Sequence, residues 1–153
     1  MGGEPYWYVV PYEADIDAAL QKLRHRELKA GRYNPVMPFL SFPIDPAVPG
    51  PGGQHATFDD AMTDADADGT RSIIDLARAS KVPYDGSGDP SMTAWPIRDD
   101  EIARMTGSRC PTVQMLVECE DLWESIERGS GVYVVVYEGA TPSEIFFAGY
   151  SFD

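Results

Sequence analysis

The sequence predicts an α+β fold: a mixed or antiparallel sheet of three to five strands, centred on an N-terminal strand and a C-terminal hairpin and packed by three or four helices. Three observations carry that prediction. Val132 to Tyr137 is an unbroken β-branched and aromatic run, and Glu144 to Tyr150 answers it with Ile145, Phe146, Phe147 and Ala148 across a turn holding Gly139 and Pro142. Near the other end, Tyr6 to Val10 has the same composition and is closed by Pro11, which cannot donate to a ladder. Between these ends the apolar period lengthens from two residues to about 3.6, the mark of amphipathic helices. Successive strand side chains point to opposite faces, so a run apolar at every position belongs in a sheet covered on both sides.

In chain order, Ile16, Ala19, Leu20 and Leu23 recur at helical spacing behind Asp15 as N-cap, and Gly31 ends the helix. Arg24, His25, Arg26 and Lys29 are read onto its outer face and, with Arg32, form the one basic patch of the chain. Cations there complement the helix dipole, which is the first explanation for them, and Arg24, His25 and Arg32 are the alternative candidates for holding an anion. Residues 34–55 form a Pro-rich connection containing Pro35, Pro38, Pro43, Pro46, Pro49 and Pro51, which excludes a helix or a central strand. Its first half is too apolar for a free linker and is expected to lie on the domain; its tip, Val48 to Gly53, is expected to be mobile, a candidate lid or contact loop. Thr57 to Asp68 reads as a second helix stopped by Gly69, and Arg71 to Leu76 as a strand in preference to a further helix. Ser80 to Thr93 reads as loop, Asp99 to Met105 as a short helix, and Thr112 to Arg128 as a longer one.

A chain of 153 residues fits one domain, 1–153, with enough buried surface to fold without a staple. Its 25 acidic residues against 12 basic give a net charge of −13, which argues against a nucleic-acid partner and against an anionic membrane surface. No apolar run approaches the roughly 18 residues of a membrane span, and a cytoplasmic location is expected. Cys110 and Cys119 match no zinc spacing and read as free thiols.

The sharpest local pattern is Asp64-Ala-Asp66-Ala-Asp68-Gly69, with Ser72 and Asp75 following. It resembles an EF-hand or dockerin calcium loop, with acids at loop positions one, three, five and twelve and glycine at six. The resemblance implies Ca²⁺ as a possible cofactor with Asp64, Asp66, Asp68 and Asp75 as metal ligands. Arg71 stands where that family has an apolar residue, and Asp75 replaces the usual Glu. The competing reading continues the helical period of Phe58, Ala61, Met62 and Ala65 through the same acids, and no cofactor is then required. Three carboxylates in a helix's last turns oppose its dipole and repel one another, so a cation, Arg71 or a basic partner surface is expected to offset them.

No nucleophile elbow, phosphate loop or Ser/His/Asp order is present, and His25 and His55 are the two histidines. The leading expectation is a small acidic non-enzymatic interaction protein, of the immunity-protein or inhibitor kind. Asp59, Asp60, Asp64, Asp66 and Asp68 would cover a basic site on a protein partner. A cation-binding module through Asp64 to Asp75 is the second reading. A small enzyme acting on an anionic substrate between the basic helix and the Pro-rich connection is the third.

Overall fold

The computed structural model describes residues 3–153 and contains a five-stranded mixed sheet with five helices. The strands are β1 (Pro5–Pro11), β2 (Arg78–Ala79), β3 (Thr93–Pro96), β4 (Gly131–Glu138) and β5 (Thr141–Tyr150), in the order β1-β5-β4-β3-β2. β1 and β4 flank β5 antiparallel, while β4, β3 and β2 run parallel. The hairpin occupies the interior and β1 takes an edge, with a proline at each end of it. The reversal is tighter than the sequence suggests. Glu138 pairs with Thr141 across Gly139 and Ala140, Gly139 holding φ 63°. Pro142 lies inside β5 opposite Tyr137, next to a register shift at Val136/Tyr137 that spares the ladder the missing N–H.

Alternation assigns the two faces. Tyr6, Tyr8, Tyr133, Ile145 and Phe147 pack against α1 (Ile16–Ala30) through Ala19, Leu20 and Leu23. Val132, Val134, Val136, Phe146 and Ala148 pack on the opposite face against Ile102, Leu116, Leu122 and Ile126. That second layer is α3 (Asp99–Thr106), α4 (Val113–Val117) and α5 (Glu120–Glu124), the crossover between the parallel strands β3 and β4. A smaller cluster of Leu28, Tyr33, Ala61 and Ile74 seats α2 (Phe58–Ala65) beside α1. No helix among the described residues is long and apolar enough to cross a membrane.

Two segments depart from the expectations. Residues 71–76 are not a strand: Arg71 has φ 51°, the Ser72 side chain accepts from Ile74 N, and Ile73–Asp75 is a single 3₁₀ turn. The parallel pairing there belongs to the two residues of β2 instead. The helix predicted over 112–128 is broken at Cys119, whose backbone is extended at ψ 97° and starts α5 afresh after α4. The tip of the Pro-rich connection is tied down, with Gly52 N donating to Ala30 O at 2.9 Å and Arg32 Nη1 to Val48 O at 2.7 Å. The connection thus supplies a donor to the Ala30 carbonyl at the end of α1, where a helix needs outside donors, and accepts from Arg32 in return.

Candidate functional site

The predicted acidic residues form one exposed face. Thr57 caps α2 by accepting from Asp60 N, and Ala61 and Ala65 are buried while Phe58 and Met62 pack half-buried beside them. Asp59, Asp60 and Asp64 consequently turn outward and are exposed. Asp66 ends the helix at φ 55° and ψ −141°, and a 3₁₀ turn (Asp66–Asp68) carries the exposed Asp66 and Asp68 onward to Gly69. The helix is therefore shorter than 57–68. The dipole conflict expected of acids in its last turns is reduced, because the chain leaves the helix before two of the three.

Of the expected offsets Arg71 lies beside Asp68, and His55 adds a hydrogen-bond partner that the sequence did not suggest. His55 Nε2 lies 2.9 Å from Asp64 Oδ2 and His55 Nδ1 lies 2.8 Å from Tyr33 OH. A carboxylate only accepts, so a neutral His55 donates from Nε2 to Asp64 and accepts at Nδ1 from Tyr33. Arg71 Nη2 reaches Asp68 at 3.6 Å and Asp153 at 2.7 Å, and Arg71 Nη1 donates to Pro38 O at 3.2 Å. Arg71 thereby ties the Pro-rich connection to the acidic face. One residue beyond Pro38, Phe39 is 88% exposed, the most exposed large apolar side chain described.

Asp75 does not join this face. It is buried, its Oδ1 accepts from Thr70 N at 2.7 Å and Thr70 Oγ1 at 2.8 Å, and its Oδ2 has no partner. Burial pushes its carboxyl up to about 6 despite the Thr70 bonds, with the charge of Asp153 adding to the rise. Asp64, Asp66, Asp68 and Asp75 therefore do not converge as the calcium-loop pattern requires, and no group of three metal-binding side chains occurs among the described residues.

The basic patch is divided, with Arg24 and Arg32 buried, Arg26 half-buried, and His25 and Lys29 exposed. Arg24 is buried over the Phe58 ring at 4.0 Å and donates to Ile74 O at 3.1 Å; burial lowers its pKa, while Asp17, Asp75 and Asp59 oppose the shift. Arg32 is buried against Glu27 at 2.6 Å. Of the three residues expected to hold an anion, His25 alone remains at the surface. With Lys29 and His55 it lines an open depression of about 590 Å³ between α1 and the end of the connection, and Lys29 is the one lining residue with a permanent charge. Both ring nitrogens of His55 are engaged, so it offers that depression no free base.

Sequence reasoning missed Tyr33, His55 and Phe39. The first two meet across 22 positions with no shared motif, and Phe39 stands among apolar neighbours that turn inward. Comparison with family models, with curated proteins and with solved structures gives no match.

Proposed function

We propose that the protein is a small acidic interaction protein, non-enzymatic, that covers a basic site on a protein partner in the manner of an immunity protein or inhibitor. The observation that supports this best is Phe39, 88% exposed on a connection anchored through Pro38 and Arg71 to Asp68. An exposed aromatic side chain one residue from a backbone carbonyl held by Arg71, itself paired with Asp68, joins an apolar anchor to a charged neighbourhood, the make-up of an interface hot spot with a charged rim. Asp59, Asp60, Asp64 and Asp66 supply the long-range attraction, which acts on the association rate, and Phe39 supplies desolvated contact, which acts on dissociation. Free thiols at Cys110 and Cys119 favour a reducing, cytoplasmic setting for the encounter.

The test is affinity capture with the parent protein, followed by binding kinetics of the captured partner against two variants. Phe39→Ala is expected to weaken binding by about 2 kcal/mol or more, the scale of a hot-spot aromatic, mainly through faster dissociation. Asp64→Asn, Asp66→Asn and Asp68→Asn together are expected to slow association, most at low ionic strength. A partner that is acidic, or one held as tightly by both variants, would defeat the reading.

A further inference from the structure

The sheet narrows at the edge opposite β1, and a cavity forms where it does so. β2 pairs only as far as Ala79 with Ala94, so Trp95, one residue further along β3, has no strand on its outer side. Ala94 belongs to the α1 face, and alternation turns Trp95 to the other face, beside its partner Val132 on β4. Residues 81–92 fold back to cover it. Trp95 Nε1 donates to Pro90 O at 2.9 Å and Tyr84 OH donates to Gly88 O at 2.6 Å. These bonds fix the two rings with centroids 5.0 Å apart and planes inclined at 50°.

Tyr84 and Trp95 line a cavity of about 160 Å³ together with Pro83 and Pro90, and its remaining charged lining is Glu101 and Glu127. The phenol and indole hydrogens are both taken by loop carbonyls, so the rings offer the cavity π surface rather than donors. Both glutamates are exposed, which places them at the rim, and neither side chain has an ion-pair partner among the described residues. Partial burial first, then the charges of Glu127, Asp85 and Asp89, push the Tyr84 phenol above its ordinary value, so negative potential reaches the ring.

We propose that this cavity takes a guanidinium group, presented as an arginine side chain of a protein. The volume is about half the roughly 300 Å³ at which sites for drug-sized ligands begin, which suits one side chain. Two tilted aromatic faces attract a cation through their quadrupoles, and a planar, weakly hydrated guanidinium stacks on them with less desolvation than an ammonium. Its edge then meets carboxylates in the fork geometry that a point charge does not use. The assignment is independent of the acidic face of α2, whose residues line no part of this cavity, and either can fail without the other.

The test is titration of capped arginine, N-acetyl-arginine amide, into isotope-labelled protein, followed at the indole N–H signals of Trp7, Trp95 and Trp123. A saturable shift confined to Trp95 is expected, with a dissociation constant on the order of millimolar for an isolated side chain. Capped citrulline, alike in shape but uncharged, is expected to give no saturable shift. Glu101→Gln and Glu127→Gln are expected to weaken binding by about two- to fivefold each, the scale of an exposed ion pair. Glu118→Gln with Glu138→Gln makes the same charge change away from the cavity and should leave binding unaltered. An unmoved Trp95, equal binding of citrulline, or equal weakening by both pairs of substitutions overturns the site. Capped lysine binding as tightly overturns the choice of guanidinium. Free arginine binding more tightly than the capped form overturns a side chain as its source.

Discussion

Arg32 Nη2 lies 2.6 Å from Glu27 Oε2, and both side chains are buried. Arg32 Nε bridges both carboxylate oxygens at 3.2 Å, and Arg26 adds a fourth contact to the same group at 3.1 Å. Glu27 thus neutralises inside the protein a charge that the sequence had suggested for an anion. Removing one partner of such a pair strands the other without water, so Glu27→Ala is expected to cost about 3–5 kcal/mol in urea unfolding. Glu27→Leu combined with Arg32→Met should cost less than either single change. A single-variant loss below about 1 kcal/mol would contradict the buried pair.

Asp75 sets a pH dependence opposite to that of ordinary paired carboxylates. Its folded value of about 6 exceeds the ordinary 3.8, so the folded state binds this proton more tightly than the unfolded chain does. The contribution is greatest below the unfolded value and is lost as pH rises through the folded one, reaching a deficit of up to about 3 kcal/mol at neutral pH. The groups that act on it are Thr70, Arg71 and Asp153, with Tyr6 and Arg24 coupled to it from β1 and α1. Stability of the parent minus that of Asp75→Asn should fall by about 1–3 kcal/mol from pH 4 to pH 7, measured by denaturant unfolding at each pH. A difference that stays flat across this window removes the assignment.

Val134 is buried between Phe146 on β5 and the helical layer. Val134→Ala is expected to cost about 1–3 kcal/mol through lost burial and the cavity left behind. An unchanged melting temperature would show that this face can collapse around the gap.

Asp66 holds φ 55° with its side chain in solvent, a conformation that a side chain disfavours and glycine does not. Asp66→Gly should therefore stabilise the protein by up to about 1 kcal/mol, in spite of the freedom glycine adds to the unfolded chain. A destabilised variant would mean that the carboxylate makes a compensating interaction.

Millimolar Ca²⁺ should leave the melting temperature where it is, because Asp75 is buried on Thr70 and Asp64 is paired with His55. A ligand at about 100 times its dissociation constant adds about 2.7 kcal/mol, enough to see. A rise of several degrees that disappears in Asp64→Ala would reverse this conclusion.

The parts of the fold legible in the sequence are those whose residues face two apolar layers. Val132 to Val136 and Ile145 to Ala148 need no periodicity to be read as strands, and Tyr6 to Val10 shares their composition. β2 and β3 were not legible, since two and four residues of parallel pairing leave no pattern in the chain. In α1 the charges misled: Arg24 and Glu27 fall in the same rows as Leu20, Leu23 and Leu28, and long side chains followed those rows inward. Asp59, Asp60, Asp64, Asp66 and Asp68 are exposed, as carboxylates with no partner in the core must be. The link from His55 to Tyr33 and the outward turn of Phe39 depend on contacts that no local spacing encodes.

The register of β1 on β5 joins Pro5 to Tyr150 and Pro11 to Glu144, so this ladder spans nearly the whole chain. While a ribosome is still making residues before Thr141, Tyr6, Trp7, Tyr8, Val9 and Val10 have no strand to pair with. Such a ladder forms late, because closing a very long loop must precede the contacts that reward it. A nascent chain therefore carries an unpaired aromatic segment until β5 has been made, and a product truncated before β5 would leave that segment exposed.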